Sequence, residues 1–145
     1  MEILSKSVKE TEKVAKDFLA QISKINKNQA LVVGFFGDLG SGKTTFIQAL
    51  GKCLKIEEAM TSPTFVIEKI YLLNSKSKFN KLIHIDAYRL ETAKELLGLG
   101  FEEIIKDPKN LILIEWPERV INILPADLIK INLKFISEFE REISF

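Results

Sequence analysis

The sequence predicts an α/β domain: a mostly parallel central sheet flanked by helices, with an antiparallel C-terminal edge. Three observations carry that prediction. The apolar run at residues 30–36 is continuous and of strand length, as a strand covered on both faces requires. Segments with three-to-four apolar spacing stand before and after it in the chain, the signature of amphipathic helices. Two further short apolar runs, at 82–85 and 111–114, each end in an acid, Asp86 and Glu115.

Taken in order, residues 8–25 place Val8, Val14, Phe18, Leu19, Ile22 and Ile25 on one helical stripe, with lysines and acids opposite. Residues 26–29 break that pattern ahead of the buried strand. A glycine-rich turn follows the strand, and then Phe46, Ile47, Leu50, Cys53 and Leu54 share a helical face over 44–54. Cys53 fits the stripe and is expected as core packing, not as a reactive thiol. Residues 65–71 alternate loosely and predict a strand. Lys76, Lys78 and Lys81 lie in a loop rich in Asn and Ser, expected to be solvated. Residues 92–106 predict a helix interrupted at Gly98 and Gly100. Ile129, Ile131, Leu133 and Phe135 alternate with polar residues, and 141–145 alternate again after a bend at Ser137 and Glu138. That end predicts an antiparallel hairpin at the edge of the sheet.

Composition bounds the function. A chain of 145 residues matches one domain, 1–145, which buries roughly two thirds of its unfolded surface. A net charge of +1 gives no basic field, so stand-alone binding to DNA or RNA by charge is not expected. One cysteine and one histidine build neither an internal disulfide nor a zinc site. No apolar run spans a bilayer, and the first residues lack a basic-then-apolar signal pattern. The expectation is a reduced, cytoplasmic protein with no membrane partner.

The chemistry concentrates at Gly37-Asp38-Leu39-Gly40-Ser41-Gly42-Lys43-Thr44, followed by Thr45, which satisfies G-x-x-x-x-G-K-[ST] between a predicted strand and a predicted helix. Glycines let backbone N–H groups turn inward around phosphate oxygens. The helix opening at Lys43 points its positive end at the same anion. Lys43 supplies a mobile charge for the β and γ phosphates, and Thr44 a hydroxyl for Mg²⁺. Such a loop needs a carboxylate at the end of a neighbouring strand, and both Asp86 and Glu115 have that placement. One is expected to hold Mg²⁺ and the other to orient the attacking water; spacing alone leaves the two assignments open.

Other residues carry less. Asn80-Lys81-Leu82-Ile83 lacks the Asp of a guanine-reading Asn-Lys-x-Asp stretch, which favours ATP over GTP. Only Arg89, Arg119 and Arg141 are arginines. Arg89 and Arg119 follow Asp86 and Glu115 closely and stand near the expected active edge, either as phosphate contacts or as surface ion pairs. His84 shares a strand face with Asp86, and a buried, hydrogen-bonded role is its commoner state. Trp116 has three readings, core packing, a nucleotide contact or an interface anchor, of which core packing is the first expectation.

The motifs in series are more specific than the loop alone. The phosphate loop, then Ser62-Pro63-Thr64-Phe65, then His84-Ile85-Asp86-Ala87-Tyr88-Arg89, then Ile114-Glu115-Trp116 resemble the TsaE (YjeE) family, in order and over essentially the whole chain. The resemblance implies a small bacterial P-loop ATPase that works in making N6-threonylcarbamoyladenosine in tRNA. It further implies TsaB and TsaD as partner subunits, with TsaD transferring the threonylcarbamoyl group and tRNA met through the complex. By the same resemblance Thr44 and Glu115 match magnesium positions, Lys43 the phosphate lysine and Asp86 a required acid. Trp116 matches a tryptophan beside the nucleotide, Thr11 an N-terminal position near it, and residues 62–65 a switch-like loop. Ser41 stands where the family usually has Ala, and Ala87 between Asp86 and Tyr88 is a second departure; neither alters the chemistry.

Three functions compete on these residues. A partner-gated ATPase fits the loop with its two strand-end acids. A small-molecule kinase needs an arginine-rich lid, and three arginines without an inserted lid segment count against it. A nucleotide-binding module without hydrolysis leaves both acids unexplained.

Overall fold

The computed structural model describes residues 1–145. The chain runs β1 (Glu2–Ser5), α1 (Val8–Ile22), β2 (Leu31–Phe36), α2 (Lys43–Cys53), β3 (Glu68–Leu72) and β4 (Lys81–Asp86). It continues through α3 (Ala93–Leu97), α4 (Phe101–Lys106), β5 (Asn110–Glu115), two short 3-10 turns, β6 (Ile129–Phe135) and β7 (Arg141–Ser144). The strands form one seven-stranded sheet in the order β1-β7-β6-β2-β5-β4-β3. β6, β2, β5 and β4 run parallel, while β7, β1 and β3 are antiparallel to their neighbours.

The continuous apolar runs follow from burial on both faces. Leu31, Val33 and Phe35 of β2 face one core with Phe18 of α1 and Phe46 and Leu50 of α2. Ala30 and Val32 face the other, with Leu96 of α3, Phe101 of α4 and Ile114 of β5. Each face alternates, but both are apolar, so the period of two is hidden in the run.

Four details differ from expectation. α1 stops at Ile22, three residues short of the apolar stripe: the amides of Lys24 and Ile25 bond three residues back, to the Gln21 and Ile22 carbonyls, and the Ser23 hydroxyl donates to the Leu19 carbonyl (2.7 Å). Lys78 closes that end: its Nζ donates to the carbonyls of Ser23 (2.8 Å) and Ile25, a cation at a helix C-terminus and not a freely solvated side chain. β3 begins at Glu68 and not at Phe65, since the amides of Val66 and Ile67 turn back onto the Pro63 carbonyl and Ile67 takes a left-handed φ of 69°. The C-terminal hairpin is present, but β6 lies inside the parallel core beside β2. The antiparallel edge is β7 and the unexpected strand β1.

Glu68 shows a local conflict. Its carboxyl is half-buried on β3, Oε1 has no partner, and burial pushes its pKa up from 4.5. A folded-state pKa above the unfolded value makes the folded chain bind more protons, so stability falls as pH rises between the two values. Glu68→Gln keeps the shape and removes the charge. The variant is expected to unfold at a higher temperature than the parent at about pH 7, with the gap closing toward about pH 4. Equal melting temperatures at both pH values would show that the carboxyl finds solvent.

Candidate nucleotide site

The loop between β2 and α2 is built as its glycines require. Gly37 (φ 149°) and Gly42 (φ 101°) hold dihedrals closed to side-chain-bearing residues, and Gly42 caps the start of α2. A Cβ at Gly37 would run into the Leu133 carbonyl and the Ser41 hydroxyl. Gly37→Ala is therefore expected to lower stability by about 1–3 kcal/mol, read by denaturant unfolding. A neutral result would mean the loop has slack to move.

Lys43 opens α2, is almost fully buried, and has nothing anionic within hydrogen-bond reach. Its ammonium donates to the carbonyls of Gly37 and Asp38 (3.0 Å for Asp38) and sits 4.2 Å from the Trp116 ring centroid. Burial holds its pKa below 10.5, against the opposing pull of Glu115, Glu118, Asp86 and Asp38. Trp116 is half-buried in the left-handed region (φ 58°), a position for a bulky residue that a built site must hold in place. It packs partly against the second core, yet its ring forms a wall of the loop's cleft, so core packing describes only one side of it.

The two acids meet. Parallel pairing of β4 and β5 puts Asp86 directly opposite Glu115, each about 4% exposed or less. Glu115 Oε1 accepts from the Thr44 hydroxyl (2.9 Å), and Oε2 lies 2.7 Å from His84 Nε2. Asp86 is held separately: Oδ2 accepts from Ser62 (3.1 Å) and Thr64 (2.8 Å), and Oδ1 from the Tyr88 amide (2.9 Å). The fit to Mg²⁺ is therefore good in kind. Hard oxygens from one hydroxyl and two carboxylates converge at the phosphate loop, and Mg²⁺ commonly takes few protein ligands and completes its shell with water and phosphate oxygens. No trio of His, Cys, Asp or Glu side chains forms a closed metal cage, which such a site does not need.

A cleft of about 430 Å³ gathers Leu39, Gly40, Ser41, Gly42, Lys43, Thr44 and Thr45 with Asp86, Glu115 and Trp116. Asp38 belongs to the loop but does not line this cleft; its carbonyl accepts from Lys43 and from the Ser41 amide. Thr11 is not in this cleft. It lines a smaller one, about 110 Å³, which shares Gly42, Thr45 and Arg141 with the first. The arginines divide differently than expected. Arg89 stacks on Phe65 (4.2 Å) and Arg119 on Tyr88 (5.5 Å), and neither lines the cleft. Arg141 lies in the wall between both clefts, a place only the return of β7 beside the loop creates.

A strand, glycine loop and helix in this arrangement, on a sheet with parallel order β6-β2-β5-β4, define the P-loop NTPase fold. The TsaE model, described as "Threonylcarbamoyl adenosine biosynthesis protein TsaE", matches residues 5–143. The chain therefore belongs to the TsaE family, whose named role is in tRNA threonylcarbamoyladenosine biosynthesis. The protein called tRNA threonylcarbamoyladenosine biosynthesis protein TsaE in Rickettsia prowazekii is 42% identical, over 93% of this chain and 87% of its own. Its namesake in Bacillus subtilis is 38% identical over 75% and 65%. The crystal structure of Bacillus subtilis YdiB superposes with a TM-score of 0.73 at 27% identity, covering 99% of this chain and 82% of that one.

Proposed function

We propose that this chain binds ATP with Mg²⁺ and hydrolyses it slowly, in support of N6-threonylcarbamoyladenosine formation in tRNA with TsaB and TsaD as partner subunits. The observation that carries the reading is the pairing of Thr44 with Glu115 beside Lys43, with Asp86 opposite. The amides of the loop and the first turn of α2 receive the β phosphate. Lys43 exchanges the Gly37 and Asp38 carbonyls for phosphate oxygens, which returns to its ammonium the counter-charge that burial denies it. Thr44 and Glu115 hold Mg²⁺, which when bound neutralises charge on the phosphates. Asp86 sits across from Glu115 and orients the attacking water.

The contacts of Asp86 tie this chemistry to the loop at residues 62–65. Drawing Asp86 toward water or metal releases Ser62 and Thr64, and with them Phe65, which is 81% exposed. A loop whose anchor changes with the nucleotide is a means of signalling to partner subunits. The smaller cleft at Thr11 continues from Gly42 and Thr45 and suits the nucleoside end of the ligand.

Trp116 is the only tryptophan, so tryptophan fluorescence reports on the site. Titration with ATP and with GTP is expected to change that signal for ATP at the lower concentration. A preference for GTP, or no change with either, would contradict the reading.

A further inference from the structure

Glu115 serves a metal only if its carboxylate is held facing the loop, and one buried contact does the holding. Leu82, His84 and Asp86 share the face of β4 that turns toward α2, as Leu111, Leu113 and Glu115 do on β5. Register pairs Asp86 with Glu115 and His84 with Leu113, so His84 stands one step back along the sheet from Glu115. Across that step His84 Nε2 meets Glu115 Oε2 at 2.7 Å, with both side chains 4% exposed or less. The other oxygen of Glu115 accepts from Thr44. Asp86 draws on neither group, having Ser62, Thr64 and the Tyr88 amide of its own. His84 makes no other polar contact: Nδ1 is buried without a partner. The tautomer that suits this surrounding carries its proton on Nε2 and donates it to Glu115.

The two oxygens of Glu115 are thus held unequally. Thr44 belongs to the phosphate loop and has a hydroxyl that rotates, while His84 is fixed on a central strand with no alternative partner. We propose that His84 is a positioning residue of the nucleotide site: its Nε2–H anchors Oε2 of Glu115, leaving Oε1 as the one oxygen that exchanges between the Thr44 hydroxyl and Mg²⁺. This rests on the assignment of Glu115 to the metal given above. Partners that orient a ligating carboxylate in this way commonly change metal affinity by 10–100-fold.

Two substitutions separate anchoring from mere packing. In His84→Gln the amide nitrogen falls near the place of Nε2 and still donates; in His84→Asn it falls short of Glu115. The full chain is titrated with ADP, first free of Mg²⁺ and then along a Mg²⁺ series, with Trp116 fluorescence as the signal and thermal unfolding in parallel. His84→Asn is expected to need about tenfold more Mg²⁺ for half of the metal-dependent response, with Mg²⁺-free ADP affinity within about twofold of the parent. His84→Gln is expected to return most of that loss. A parental Mg²⁺ requirement in His84→Asn overturns the proposal, as does equal impairment of both variants at matched melting temperatures. A parent chain whose ADP binding ignores Mg²⁺ overturns the metal reading of Glu115 and the proposal with it. If His84→Asn does not fold, His84→Gln with a raised Mg²⁺ requirement overturns the proposal and with the parental one supports it.

Discussion

Lys43→Ala is expected to weaken ATP binding by about 100-fold or more, since a charged hydrogen-bonding partner of a phosphate contributes about 1.5–3 kcal/mol and more where water is excluded. Titration calorimetry is the suitable measurement, because removing an ammonium 4.2 Å from the Trp116 ring also alters the fluorescence baseline. The fold should survive, as the lysine's own hydrogen bonds go only to two loop carbonyls. Its pKa carries a second expectation. Burial places the folded-state value below 10.5, so the unfolded chain binds more protons between the two. Stability without nucleotide should therefore rise with pH across that window, and Lys43→Ala should flatten the rise. ATP binding should decline over the same window, as the ammonium gives up its charge. Retained ATP affinity in Lys43→Ala would remove the loop from the binding site.

Glu115→Ala and Asp86→Ala form the second large prediction. Each is expected to cut hydrolysis by about 100-fold or more while changing nucleotide affinity by about tenfold or less, because in the proposed mechanism each acts on the reacting phosphate or water and not on the bulk of the ligand. The two variants should differ in one respect. Glu115→Ala frees Thr44 and orphans His84, so its remaining turnover should respond poorly to added Mg²⁺. Asp86→Ala frees Ser62 and Thr64 instead, and should raise the mobility of residues 62–65, seen as faster amide exchange. Parental turnover in either variant would take that residue out of the mechanism.

What was legible in the sequence was what local pattern encodes. β2, β4 and β5 announce themselves because burial on both faces needs apolar runs, and the two acids that end them mark the site edge. The loop is legible because backbone capture of phosphate admits few residue types. The rest depends on contacts distant in sequence. β1 is four residues long and exists through pairing with β7 at the far end of the chain. β6 carries alternating polar residues yet lies beside β2, since only one of its faces is fully covered. Arg141 reaches the clefts because β7 returns beside the loop, and no spacing near residues 37–44 signals it. Trp116 packs on the second core with one side, as its composition suggests, but the left-handed turn that brings its ring over Lys43 has no mark in composition. Spacing gives Asp86 and Glu115 the same placement; their separate partners, Thr44 and His84 for Glu115 and Ser62 and Thr64 for Asp86, come from contacts distant in sequence.

The central claim is tested most directly by phosphate release from ATP, measured for the pure chain with Mg²⁺ and then with its cognate TsaB–TsaD pair. Slow release alone, clearly altered by the pair and abolished by Lys43→Ala, is the predicted result. Release that ignores the pair, or that survives loss of Lys43, would contradict the account.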